Sequence, residues 1–327
     1  MSVTEVTGPD RGEPVSLPDF HDLPREDGGA REAWGFFGPD DSAGLMNLLS
    51  PQGTATAARL VERGAVFPLD VRLGYVDPPF FDRGLPRHTL IQRRPGRTFD
   101  DVYDNLFPQA SSQWDSLAHV AGRPGEFYNG ATREQIAAGL RNTIDHWGRR
   151  GIATRGIVLD VSERVAERGG PGASIPVTVD DLEEARVKAG VEYRPGDILL
   201  VNTGFLAWYG KQDRETHLRI SKRESTVAPG LDHSEQMAEY IWNAHVVGVA
   251  SDTVGLEVWP GDPAAGPYGS LHRIFIGLFG LAIGELWWLD DLVKDCNEDG
   301  RYEVFLTSAP WNFPGATGSP PNALAMK

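Results

Sequence analysis

Four side chains with acid, base or ligand chemistry fall at even spacing in the stretch 109–119: Gln109, Gln113, Asp115 and His119. In an extended chain, side chains two apart point the same way. One face of such a strand would carry two carboxamides, a carboxylate and an imidazole. Burying that row is costly unless its members bind each other, a metal or a ligand. A solvated strand or loop with an ordinary Asp and His accounts for the spacing equally well.

A second signal is His272 with Glu285. His272 follows a Gly/Pro-rich loop and opens an apolar stretch, 274–289, in which Glu285 lies between Gly284 and Leu286. A carboxylate inside an apolar run must be paired or metal-bound, because an isolated buried charge costs several kcal/mol or protonates. An ion pair with a residue such as Arg273 is the plainer alternative. A third signal is the polar residues that end apolar runs: Asp160, Asn202-Thr203 and Asp252-Thr253. Sites in open α/β sheets collect beyond strand ends, but turn chemistry alone explains Asp160 and Asp197.

The elements that would position these groups alternate. Ser50-Pro51 reads as N-cap and first helical residue, with Gly64 past the helix end. A strand is expected over 66–71, then an irregular stretch, 74–108, rich in Pro, Arg and aromatics, of the kind that builds binding sites. Tyr75, Phe80, Phe81 and His88 are placed there to cover a pocket. Thr132 and Gln135 form a capping box for a helix whose face carries Ile136, Leu140, Ile144 and Trp147. Buried strands are expected at 156–161, 196–201 and 246–250, a helix capped by Asp180 ends before Gly190, and another covers 234–243. This alternation reads as one α/β domain over 31–327 with a largely buried sheet. Residues 1–30, rich in Pro, Gly, Asp and Glu, read as a flexible arm or a segment that wraps a neighbour.

Composition narrows the partners. Lys and Arg total 31 against 46 Asp and Glu, a net charge of −15. A nucleic-acid backbone needs clustered cations, so it is not the expected partner. The single cysteine, Cys296, excludes an intrachain disulfide and a Cys-rich zinc site. The longest apolar stretch is broken by Gly277, Gly280, Gly284 and Glu285 and is too short to span a membrane. With no basic and apolar leader pattern, a cytoplasmic location is the default expectation. No Gly-x-Ser-x-Gly elbow, Gly-x-Gly-x-x-Gly turn or P-loop is present, which argues against a serine nucleophile and nucleotide cofactors.

Together the three signals resemble the cyclase family, which includes the bacterial kynurenine formamidases and isatin hydrolase. The family motif His-x-Gly-Thr-His-x-Asp-x-Pro-x-His is similar to the stretch 109–119. The run 196–204, Gly-Asp-Ile-Leu-Leu-Val-Asn-Thr-Gly, resembles its Gly-Asp-hydrophobic-Thr-Gly strand. His272 and Glu285 match its late His and Glu, and 301–320 resembles its C-terminal stretch. The resemblance implies a swivelling β/β/α fold with a mixed sheet, and a homodimer or homotetramer whose subunits share the site mouth. It also implies a metal-dependent hydrolase of a small amide, lactam, imide or ester. Where the family has two metal-binding histidines this chain has Gln109 and Gln113, and glutamine is a poorer zinc ligand than imidazole. The implied site is therefore one divalent metal, Zn or Mn, on Asp115, His272 and Glu285. His119 is the implied general base or acid, beside Asp115. Gln113, Trp114, Gln109, His88 and Asp252 are the expected substrate contacts. Two other readings remain open: a metal-free cyclase, dehydratase or isomerase using Asp115 and His119, and a non-catalytic small-molecule-binding relative.

Overall fold

The computed structural model describes residues 17–26 and 29–327. Its centre is a nine-stranded mixed sheet. In chain order the strands are β1 (Val66–Pro68), β2 (Gln113–Asp115), β3 (Ile152–Asp160), β4 (Ile198–Asn202), β5 (Gly248–Ser251), β6 (Ala282–Glu285), β7 (Glu303–Ser308), β8 (Gly318–Ser319) and β9 (Ala323–Met326). Their order across the sheet is β1-β9-β7-β3-β4-β5-β6-β2-β8. The middle four, β3 to β6, run parallel, and the flanking pairs are antiparallel. Every residue of β4, β5 and β6 is buried. That is why these strands read as continuous apolar runs rather than alternating ones. The expected α/β fold with a largely buried mixed sheet is what the chain adopts.

Helices cover the sheet where their caps allow. Ser50 accepts from the Gly53 N–H and Pro51 opens the helix Pro51–Ala57. Ser234 caps Glu235–Asn243 through the Met237 N–H. The helix Val179–Ala189 is capped by Thr178, which shares a reciprocal box with Asp181; this corrects the expectation that Asp180 is its cap. The capping box of Thr132 and Gln135 is formed, but its helix stops at Ala137. Left-handed Gly139 and Asn142 break the expected helix in two, and its second half is Asp145–Arg150. The apolar stretch after His272 is core: a π-helical segment, Arg273–Phe279, leads into β6.

Leu17, Phe20 and Leu23 are buried in the main core of the same chain, and the Trp242 indole donates to the Pro18 carbonyl at 2.9 Å. The rest of the expected N-terminal arm, 1–16 and 27–28, lies outside the described residues. Among the described residues no helix is long and apolar enough to cross a membrane. The stretch 74–108 is less irregular than expected: it carries a hairpin of Arg87–Arg94 and Thr98–Asp104.

Candidate active site

β2 and β6 build the site. They pair antiparallel, with Glu285 opposite Gln113, Gly284 opposite Trp114 and Ile283 opposite Asp115. Opposed residues share a face and successive residues alternate. Gln113, Asp115 and Glu285 therefore lie on one side, and Trp114 and Gly284 on the other. The second side is core. The Trp114 indole stands edge-on to Trp287 at 4.8 Å and to Trp147 at 6.5 Å, and donates to Ser308 Oγ at 2.9 Å. Gly284 makes this packing possible: a Cβ there would meet Ala250 Cβ at 2.7 Å and Trp287 Nε1 at 2.8 Å. Trp114 is therefore a core residue, which corrects its assignment as a substrate contact.

The strand is shorter than the spacing suggested. Only 113–115 is extended; Gln109 sits in a 3-10 turn, Pro108–Ala110. The Gln109 amide returns to the site side by packing over Gly318, where a Cβ would lie 2.3 Å from its Nε2. Gly318 itself pairs with Asp115. After Asp115 the chain turns. The Ser116 N–H donates to the Thr317 carbonyl at 3.0 Å and the His119 N–H to the Ser116 carbonyl at 2.9 Å. This turn brings His119 Nε2 to 3.8 Å from Asp115 Oδ1.

His272 precedes the π-helical segment and meets the sheet from above β6. Its Nε2 lies 2.9 Å from Glu285 Oε1 and its Nδ1 lies 2.7 Å from Glu257 Oε1. Glu257 also accepts from the Leu271 and His272 backbone N–H groups, and His233 Nε2 lies 3.2 Å from its Oε2. Glu257 is thus a buried anchor that fixes both the backbone and the ring of His272. Sequence reasoning missed Glu257 and His233; an acid in the run Val254-Gly255-Leu256-Glu257-Val258 carried the same signal as Glu285.

The charges explain the titration. Burial and the Asp115 carboxylate push Glu285 upward, against the pull of His272. Burial opposes the charge on His272, but its hydrogen bonds to Glu257 and Glu285 outweigh it and raise the ring well above the ordinary imidazole value. Burial alone would raise Glu257; the hydrogen bonds from His233 and His272 bring it down to about 2. Burial lowers His119, with Asp115 opposing and His272 and Arg83 reinforcing.

The ligand atoms of Asp115, His272 and Glu285 all lie within 4.8 Å of one another. Both Asp115 oxygens and Gln113 Oε1 are buried with no hydrogen-bond partner. The Gln113 amide faces Glu285 Oε2 with its Nε2, the orientation the carboxylate requires. One imidazole, two carboxylates and orphaned acceptor oxygens suit a divalent cation.

Glu285 pairs with His272 and not with Arg273, which instead pairs with Glu26. Asp252 is fully enclosed and accepts from Thr203 N and Oγ1, both at 2.8 Å, and from the Leu206 N–H. It anchors the start of the helix Phe205–Tyr209, which corrects its assignment as a substrate contact. His88 lies on the exposed hairpin, stacked on Tyr103 at 4.9 Å and paired with Asp101; one chain does not bring it to the triad. Tyr75, Phe80 and Phe81 join a second apolar cluster with Phe205, Tyr209 and Leu286. A groove of about 610 Å³ between the helices Val179–Ala189 and Glu235–Asn243 contains none of the candidate residues.

The fold and site define a cyclase-type α/β protein. The Cyclase family model matches residues 75–258, and the chain belongs to that family. A crystal structure described as a novel cyclase is 31% identical, with a TM-score of 0.78 over 90% of this chain and 99% of that one. Isatin hydrolase A from Labrenzia aggregata, bound to benzyl benzoate, is 17% identical, with a TM-score of 0.59 over 84% and 96%. Isatin hydrolase A from Ralstonia solanacearum is 20% identical, with a TM-score of 0.57 over 85% and 97%. At those identities the two hydrolases share the fold. No curated protein matches the chain.

Proposed function

We propose that the protein is a metal-dependent hydrolase of a small amide, lactam, imide or ester. The observation that carries the reading is the convergence of Asp115, His272 and Glu285 within 4.8 Å, with His119 3.8 Å from Asp115. A Zn²⁺ or Mn²⁺ ion held by that triad would polarise a substrate carbonyl and acidify a bound water towards neutrality. Burial lowers His119, which favours its neutral form as a base; in this reading it would take a proton from water and return it to the leaving nitrogen or oxygen. Gln113 is locked to Glu285 by its amide nitrogen and leaves its carbonyl oxygen without a partner. Gln109, over Gly318, bounds the site beside Asp115.

Metal content by mass spectrometry, on wild type beside Glu285→Ala, tests this reading. About one Zn or Mn per chain, lost in the variant, supports it. A metal-free protein that stays so after incubation with either ion overturns it. That result would favour acid–base chemistry by Asp115 and His119, a reading supported by the internal satisfaction of Glu285 by Gln113 and His272.

We also infer that the chain self-associates through its hairpin. Cross-strand pairs place His88 opposite Tyr103, Leu90 opposite Asp101 and Gln92 opposite Phe99, so Leu90, Phe99 and Tyr103 share one face. They are 59%, 59% and 52% exposed, and an isolated two-stranded hairpin has little stability of its own. A second copy of this chain is the occupant that also meets the family's shared site mouth. Light scattering after size exclusion should find a dimer or tetramer, and Leu90→Ser with Phe99→Ser should shift it to monomer. A monomeric wild type overturns the inference.

A further inference from the structure

Arg83 is the cation that the triad's own chemistry does not use. Its half-buried side chain donates from Nη1 to the Gln109 carbonyl at 2.7 Å, which fixes it beside the turn that packs on Gly318 and Asp115. Among the described residues, the hydrogen bond to Gln109 is its polar contact, and no carboxylate lies within ion-pair distance of it. The exposed Arg223 is likewise without a carboxylate partner. Elsewhere in this acidic chain arginines are commonly paired, as Arg123, Arg155, Arg164 and Arg186 are.

The backbone makes a special effort to aim Arg83. Phe81 and Asp82 both have positive φ, 61° and 58°, a conformation that is costly for a bulky L-residue and persists where surroundings enforce it. The Phe81 N–H is tied to the Ser221 carbonyl at 3.1 Å. The Arg83 and Arg223 guanidinium carbons then lie 5.4 Å and 5.3 Å from the Phe81 ring centre, and Arg223 also lies over Trp259 at 5.2 Å. Trp259 packs 5.0 Å from Phe81 and its indole N–H is buried without a partner. Two guanidiniums without a carboxylate partner and an unused N–H donor thus gather around one aromatic plate, and Arg83 links it to the Gln109 turn. A guanidinium presents a rigid fork of donors that matches a carboxylate, and exposed Arg223 adds long-range attraction for an anion.

We propose that Arg83 is the carboxylate-binding residue of this site, and that the substrate is a small acid carrying its anionic group beside the bond to be cleaved. The proposal rests on the hydrolase reading and narrows its substrate class. Arg83 orients the acid end while His119 and the triad face the scissile carbonyl. Arg223 contributes to capture and not to orientation.

Benzoate and its neutral counterpart benzamide are the probes, with binding measured by ligand-observed NMR on wild type, Arg83→Gln, Arg83→Lys and Arg223→Gln, each checked for metal content and melting temperature. Wild type is expected to bind benzoate at least tenfold more tightly than benzamide. Arg83→Gln should weaken benzoate at least tenfold and leave benzamide unchanged, Arg83→Lys should recover part of the loss, and Arg223→Gln should change benzoate by threefold or less. No preference for benzoate in wild type, or unchanged benzoate binding in Arg83→Gln, overturns the proposal. If Arg83→Gln does not fold, Arg83→Lys decides: benzoate affinity equal to wild type overturns it, and a selective loss supports it. Metal uptake without a carboxylate preference retires the role of Arg83 alone. A carboxylate preference lost in Arg83→Gln, in protein that never takes up metal, retires the hydrolase reading and keeps the anion site.

Discussion

Glu257 holds His272 by the nitrogen that faces away from the triad: Glu257 Oε1 lies 2.7 Å from Nδ1, while Nε2 of the same ring lies 2.9 Å from Glu285. The carboxylate selects the tautomer and angle in which Nε2 serves the site, a common arrangement behind ligating histidines. Glu257→Gln should therefore weaken Zn²⁺ or Mn²⁺ binding by about 10- to 100-fold. Competition with a chromophoric chelator measures this directly. Glu257→Asp should recover little, because the shorter side chain also gives up the Leu271 and His272 N–H groups that Glu257 accepts. An affinity equal to wild type in Glu257→Gln would show that the ring is held by its packing alone.

Much of this was legible before the structure, and the reason differs by residue. Buried strands announce themselves as continuous apolar runs, so β3, β4 and β5 were readable from 156–161, 196–201 and 246–250. Asp115, His272 and Glu285 stood out because an acid or imidazole in an apolar frame needs a partner. Trp114 was read as a substrate contact, since parity within a strand tells which residues share a face but not which face is core; Gly284, opposite it, held that information. Asp252 looked like a site residue because it ends a strand, yet the Thr203 and Leu206 N–H groups claim its oxygens. Arg83 was invisible: its aim depends on two left-handed residues, Phe81 and Asp82, which no periodicity reveals.

Gly284 can be tested as the residue that separates the site side of β6 from its core side. Ala250 Cβ and the Trp287 indole fill the space a side chain would need. The Trp287 indole, 2.9 Å from the Gln113 carbonyl, would have to move. Gly284→Ala should cost about 1–3 kcal/mol, the usual penalty for overpacking a filled core, read as a lower urea midpoint at constant slope. It should also lower metal affinity, because the displaced indole carries the Gln113 backbone with it. A stable variant with normal metal binding would show that the neighbouring Ala250 and Trp287 yield more easily than their contacts suggest.

Asp252 sets a pH dependence of stability that is separate from the site. Burial raises its carboxyl to about 6, against the lowering effect of the N–H and hydroxyl groups of Thr203; the reference value is 3.8. The folded state therefore holds this proton more tightly than the unfolded state. The stability it contributes is fully present below about pH 4 and is lost as pH rises towards 6 and beyond. At about 1.4 kcal/mol per pKa unit the whole effect is on the order of 3 kcal/mol. Asp252→Asn keeps the size and one acceptor oxygen and removes the titration. Across pH 4 to 7, the melting temperature of the variant relative to wild type should rise with pH, even if the variant starts lower because the amide cannot accept every N–H that the carboxylate does. Parallel pH profiles for the two proteins would mean that Asp252 stays ionised in the fold, held by Thr203 and the first turn of the helix Phe205–Tyr209, and that those donors outweigh its burial.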